Sequence, residues 1–93
     1  MPETFDYKVI KYQLAKSSTS SGANYEESQA GSSKADFSNK VRISLREMRE
    51  SNYWLRIVEG INDDDTLRIE LAWLITESKE LKNILGSIVQ KTR

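Results

Sequence analysis

Cysteine and histidine are both missing from this sequence of 93 residues. Their absence excludes disulfide bonds, zinc sites built from the usual Cys and His ligands, and acid–base catalysis by an imidazole. The lack of cysteine also fits a protein of the cytosol. We therefore expect no metal and no cofactor, and no arrangement of residues indicates an enzyme.

An excess of charge and a long apolar run are missing as well. Fourteen Lys and Arg balance fourteen Asp and Glu, so no global field attracts nucleic acid or an anionic membrane. Residues 1–11 alternate charged and apolar types, unlike a signal peptide, and no later run is long enough to span a membrane. These absences predict a soluble, cytoplasmic protein that does not contact membranes.

The feature that the sequence does have is helical periodicity. Residues 67–88 and residues 37–58 each repeat apolar or small residues at alternating steps of four and three, which is typical of a helix packed in a bundle. The positions are Leu67, Leu71, Leu74, Ser78, Leu81, Leu85 and Ile88 in the later run, and Phe37, Val41, Ser44, Met48, Ser51, Leu55 and Val58 in the earlier one. One domain, residues 1–93, is predicted to hold three long helices at about 6–30, 33–60 and 65–91.

Helix start and stop signals support these limits. Ser33 and Asp36 have the spacing of a capping box, and Gly60 is expected to end the second helix. The acidic turn at residues 62–65 suits the N-terminal cap and dipole of the third helix, while Lys91 and Arg93 suit its opposite end.

Residues 17–24 allow two interpretations. Their composition, Ser-Ser-Thr-Ser-Ser-Gly-Ala-Asn, is that of a loop, because Ser and Asn compete for backbone hydrogen bonds and Gly weakens a helix. The heptad period nevertheless continues through them, with small polar residues at its positions: Tyr7, Ile10, Leu14, Ser17, Ser21, Asn24 and Ser28. A tightly packed helix with close backbone approach is the competing interpretation.

Four segments carry a resemblance to a known family: residues 12–27, residues 33–37, residues 45–47 and residues 50–55. From about Tyr7 onward the chain resembles the four-helix-bundle family named after the intervening sequences of bacterial 23S ribosomal RNA. That family is similar in fold to the accessory variability protein of diversity-generating retroelements. The most specific part is a Ser-x-Gly-Ala-Asn-x-x-Glu element, formed by Ser20, Gly22, Ala23, Asn24 and Glu27.

The resemblance implies an all-α, antiparallel helical bundle without enzymatic activity, assembled into cyclic pentamers. It also implies that residues 17–27 are helical and that the element at residues 20–27 is structural. Members usually carry a further helix before the segment equivalent to residues 7–30, so an apolar groove is expected here, with its missing wall supplied by another subunit. The expected partner is the protein itself, in a cyclic homo-oligomer, most simply a pentamer, with a helix-sharing dimer as the alternative.

One helix face is a candidate for binding nucleic acid. It comprises Arg42, Arg46, Arg49, Tyr53 and Arg56. The arginines suit phosphates, and Tyr53 could stack on a base. Arg46 and Glu50, however, have the spacing of an ion pair within one helix, and this favours a solvated or subunit-facing surface. The sequence thus favours a self-associating assembly or adaptor module, with a nucleic-acid-binding accessory protein as the alternative.

Three further side chains are expected to serve the structure. Asn24 shares a helix face with Glu27, and a buried Asn usually fixes helix register or bonds to a neighbouring helix. Trp54 and Trp73 are expected to anchor the core or an interface, because large aromatic side chains dominate the energetics of both.

Overall fold

The structure, a computed structural model, describes residues 7–30 and 33–92. This part of the chain is all-α: it forms α1 (Tyr7–Gln29), α2 (Lys34–Ile61) and α3 (Asp65–Lys91), without any strand. None of these helices is both long enough and apolar enough to cross a membrane. Residues 17–24 are helical throughout, so the loop interpretation drawn from their composition is wrong.

The helix ends follow local capping. Ser33 is the N-cap of α2, and its hydroxyl accepts a hydrogen bond from the backbone N–H of Asp36 at 3.0 Å. At the other end, α2 continues through Gly60 to Ile61, so the expectation that Gly60 ends the helix is wrong. The helix ends instead at Asn62, whose backbone is extended. Arg93, expected to suit the end of α3, lies outside the described residues.

Serine side chains connect α1 to α2. Each hydroxyl of Ser21 and Ser44 donates to the other residue's carbonyl oxygen at 2.8 Å, and the hydroxyls of Ser17 and Ser51 lie 2.8 Å apart. All four side chains are buried. The later residue of α1, Ser21, thus bonds to the earlier residue of α2, Ser44. Because a side chain bonds directly to the other helix's backbone, the two backbones approach closely, as the small residues at these heptad positions predict.

The apolar core lies between α2 and α3. Val41 and Leu45 pack against Leu85 and Val89, and Phe37, Met48 and Ile88 cover this cluster. Asn52, only 5% exposed, adds a polar contact between α2 and α3, one to two helical turns from this cluster. Its Nδ2 donates to the Ser78 hydroxyl at 2.8 Å and to the Ile75 carbonyl oxygen at 3.3 Å.

The central position of α2 gives the molecule an open shape. Within the described residues α2 packs against both other helices, whereas α1 and α3 do not approach each other. The molecule measures 47 × 21 × 17 Å, and its radius of gyration of 15.0 Å exceeds the value of about 12 Å expected for a compact domain of this length. We call α1 and α3 the edge helices, because each packs on α2, on neighbouring sides of it, and in the described part of the chain they do not pack against each other.

Candidate functional site

A groove runs along α2 between the two edge helices. It contains two adjoining cavities of about 330 and 290 Å³, which share Ser18, Met48 and Leu81 in their walls. Leu14, Ser18, Gly22 and Tyr25 line it on α1, Met48 and Leu55 form part of its floor, and Leu74, Leu81 and Ile84 line it on α3. Its walls are mainly apolar, and this suits another helix better than a charged ligand.

Several apolar residues of α3 are exposed because α1 does not reach α3. Leu71, Ser78 and Leu85 are buried against α2, as their period predicts. In the same predicted series, Leu81 is 46% exposed and Leu67 38% exposed, so within one chain the packing face predicted for α3 is only partly covered. Trp73 is 60% exposed and is not a core residue. Half of the predicted packing face therefore borders the groove or solvent.

The arginine face, which comprises Arg42, Arg46, Arg49, Tyr53 and Arg56, lies on the other side of α2 from the groove. All five residues are exposed. They alternate along the helix with Ser44, Met48, Ser51 and Leu55, which face the groove, and a helix turns by 100° per residue. The structure therefore brings the five candidate residues together on a surface separate from the groove.

The contacts of the arginine face differ from the expected ion pair. Glu50 accepts a hydrogen bond from the Trp54 indole at 3.3 Å, and Arg46 instead lies 3.8 Å from Glu47. The predicted pair between Arg46 and Glu50 is therefore wrong, because the indole N–H four residues later occupies that carboxylate. The guanidinium of Arg56 donates to Asn52 Oδ1 at 3.0 Å and lies 6.0 Å from the centre of the Tyr53 ring.

The side chains of Ser20 and Asn24, two of the residues that define the element at residues 20–27, bond to each other within α1. Ser20 and Asn24 are half-buried, whereas Gly22, Ala23 and Glu27 are exposed. Asn24 Nδ2 donates to the Ser20 carbonyl oxygen at 2.8 Å, a bond within α1 rather than to a neighbouring helix, which was one of the two structural roles expected of it. Ser17 and Ser21 make the bonds to α2 instead, because they face α2 more directly.

Two features of the site were not predicted. Asn52 was not recognised as a link from α2 to α3, although its position beside the heptad residue Ser51 indicates that it borders the packed face. Gly22 has free space around it, since a Cβ added there would meet no atom within 4 Å. In the part of the chain that the structure describes, no group of three His, Cys, Asp or Glu side chains could hold a metal ion.

Comparison with known proteins identifies the family. The family model for the 23S rRNA-intervening sequence protein matches residues 1–87. The chain belongs to this family. The resemblance inferred from residues 12–55 is therefore confirmed, and no curated protein matches the chain.

A crystal structure supports the fold of this 23S rRNA-intervening sequence family member. The chain is similar to a protein of unknown function from the S23 ribosomal protein family of Bacteroides thetaiotaomicron, with 34% sequence identity and a TM-score of 0.78. The alignment covers 87% of this chain and 73% of that chain. These comparisons establish family and fold, and the role of the protein has to be inferred from its surfaces.

Proposed function

We propose that this protein is a cytoplasmic, non-enzymatic assembly module, an antiparallel helical bundle whose groove is covered by a second copy of the same chain. The groove itself is the observation that carries the proposal. Leu81 and Ile84 are about half exposed in it, beside the buried core residue Leu85. Covering such apolar side chains contributes roughly 25 cal/mol for each Å² removed from water.

The total surface of the single chain supports this proposal. Its accessible area is 6398 Å², whereas a compact monomer of 10.7 kDa exposes about 5,500 Å². The open groove, with Leu81 and Ile84 about half exposed in it, contributes to this area.

Charge favours another copy as the occupant. Residues 7–25 of α1 carry Lys8, Lys11 and Lys16 and no acidic residue. Glu77 lines the groove on α3, and Glu70 lies two turns before it on the same side. The α1 edge of one copy would thus meet an α3 edge of opposite charge on the next copy. Repetition of such a head-to-tail contact closes a ring when the rotation between copies allows it, and we propose a cyclic pentamer, with a helix-sharing dimer as the alternative.

Light scattering with a matched pair of variants tests the proposal. The parent should have the mass of several chains at tens of micromolar. Ile84→Glu places a charge in the groove and should reduce the mass to one chain with the helical circular dichroism retained. Ile69→Glu is the control, since Ile69 is 83% exposed on the same helix and does not line the groove. A folded parent monomer, or equal loss of assembly in both variants, would refute the proposal.

A further inference from the structure

We propose that the protein also has a binding site for the phosphate backbone of single-stranded nucleic acid, formed jointly by α2 and α3. The site is a basic surface of five cations. Arg42, Arg49 and Arg56 come from α2, and Lys79 and Lys82 come from α3. It lies on the flank of α2 and α3 away from the groove, so it is independent of the assembly proposed above.

The contacts of Asn52 place the two lysines beside the arginines. Asn52 bonds to Ile75 and to Ser78 on α3. Lys79 follows Ile75 by one helical turn, and Lys82 follows Ser78 by one turn, so both lie along the flank of α3 that borders α2. The groove-lining residues of α3 lie on the opposite flank of the buried line through Ser78 and Leu85.

No carboxylate neutralises this basic surface among the described residues. The ion pairs of Arg46 with Glu47 and of Arg68 with Asp65 include none of the five cations. No Asp or Glu lies one turn away from Arg42, Arg49, Lys79 or Lys82 on the same helix; Arg56 has Glu59 one turn on. A chain with zero net charge thus keeps a local cluster of cations, and such a cluster attracts a polyanion.

A hydrogen bond to a buried side chain fixes the guanidinium of Arg56 in a position to bind a ligand. Its Nε donates to Asn52 Oδ1 at 3.0 Å, while the amide nitrogen of the same buried Asn52 is bonded to α3. This leaves the two amino groups of the guanidinium to bind an anion, and fixed Arg geometry favours bidentate contact with phosphate. An arginine that only contacted solvent would not need a hydrogen bond to a buried side chain such as that of Asn52.

The exposed ring of Tyr53 distinguishes nucleic acid from an acidic protein as the partner. Tyr53 is 48% exposed and lies between Arg49 and Arg56 along the helix, next to the Arg56 guanidinium. An aromatic ring among phosphate-binding cations is the arrangement that holds an unpaired base by stacking. An acidic peptide offers carboxylates but no base, and a double helix keeps its bases stacked on each other. A single strand therefore fits this surface best.

Fluorescence anisotropy with labelled single-stranded RNA and DNA of one sequence tests the site. We expect binding that weakens from about 50 to 200 mM salt. Lys79→Gln with Lys82→Gln should raise the Kd about fivefold or more and reduce the salt slope by about 1.4, since each phosphate contact contributes about 0.7. Tyr53→Leu should raise the Kd without changing the slope. Binding of either strand supports the site, and a preference between them identifies the sugar that is recognised.

The control is Lys40→Gln with Lys91→Gln, which removes the same charge at positions outside both the basic surface and the groove. This pair should leave both the Kd and the salt slope close to those of the parent. Absence of binding by the parent at tens of micromolar, equal losses in the two lysine pairs, or equal binding of polyglutamate would overturn the proposal. Light scattering of every variant shows whether assembly is unchanged, so failure of this site can be told apart from failure of the assembly proposal.

Discussion

At the scale of single residues, the serines of α1 show how composition can mislead. A run of Ser with Gly and Asn predicts a loop because these side chains bond to nearby backbone in an isolated chain. In the folded chain Ser17 and Ser21 contact Ser51 and Ser44, and hydroxyls satisfied in this way can be buried. The heptad period carried this information, but the identity of the bonding partners was not visible in the sequence.

Substitution of Ser44 should reveal the close approach of α1 and α2. Ser44→Ala removes one of the reciprocal hydrogen bonds and should lower the free energy of unfolding by about 1 kcal/mol. Ser44→Val adds bulk where the backbones meet and should lower it by a further 1 to 3 kcal/mol or so. Urea denaturation followed by circular dichroism measures both. Ser87→Val, at an exposed position on α3, is the control, and equal stability of both valine variants would contradict the close approach.

Leu85 and Leu81 should differ although both belong to the same predicted packing series of α3. Leu85 is 5% exposed in the core, so Leu85→Ala should lower the free energy of unfolding by about 2 to 5 kcal/mol. Leu81 is 46% exposed, so Leu81→Ala should lower it by roughly 1 kcal/mol when the chain is dilute. Thermal unfolding at low protein concentration compares them. Equal losses would mean that the groove is filled even in a single chain.

At the scale of helices, the sequence predicted where α2 and α3 start and which residues pack, but not what they pack against. Periodicity marks a face, and the same face can meet a neighbouring helix or remain open. Ser78 contacts Asn52 whereas Leu81, three residues later, borders the groove. The resemblance to the family implied a groove. In contrast, the contact of Asn52, the partner of Arg56, with α3, and the position of Lys79 on the side of α3 next to α2, depend on the spatial register of the two helices. One sequence does not contain that register.

Asp64 gives the start of α3 a dependence on pH. The Thr66 hydroxyl donates to its carboxylate at 2.6 Å and the Thr66 backbone N–H at 2.9 Å, and these bonds lower the pKa of Asp64 below its ordinary value of 3.8. Because the folded pKa is the lower one, the stabilisation is present above the unfolded pKa and is lost as pH falls through the folded pKa. Melting temperatures should therefore fall on acidification below about pH 4.

Two variants isolate this contribution. Asp64→Asn keeps an N-cap side chain but removes the titrating group, so its melting temperature should fall less between pH 4 and pH 2 or so than that of the parent. Thr66→Ala removes the hydroxyl that contributes most to the lowered pKa and should also flatten the dependence. If both variants lost the same number of degrees as the parent, the acid sensitivity would come from other carboxylates.

At the scale of the whole molecule, the two surfaces proposed to bind partners lie on different sides of α2. The groove lies on one side of α2 and the basic surface on the other, so a copy bound in the groove leaves the cations accessible. Assembly would then place several basic surfaces on one particle. Linked sites bind a continuous strand with higher avidity than one site does, because each later contact is intramolecular. Weak binding by a single chain is thus compatible with tight binding by the assembly.

Gly22 and Gly86 provide a test of the whole arrangement. An added Cβ at either position meets no atom within 4 Å, and both glycines lie inside helices, but only Gly22 lines the groove. In a dilute chain, Gly22→Ala and Gly86→Ala should each stabilise the fold by about 0.5 to 1 kcal/mol through helix propensity, which raises the Tm by roughly 2 to 8 °C.

At high protein concentration the Tm values of the two variants should diverge. The methyl group at position 22 would obstruct the helix of a second copy, so its gain in Tm should shrink or reverse, while that of Gly86→Ala persists. Melting curves measured over a wide range of protein concentration decide the matter, and identical gains at every concentration would show that no second copy packs against Gly22.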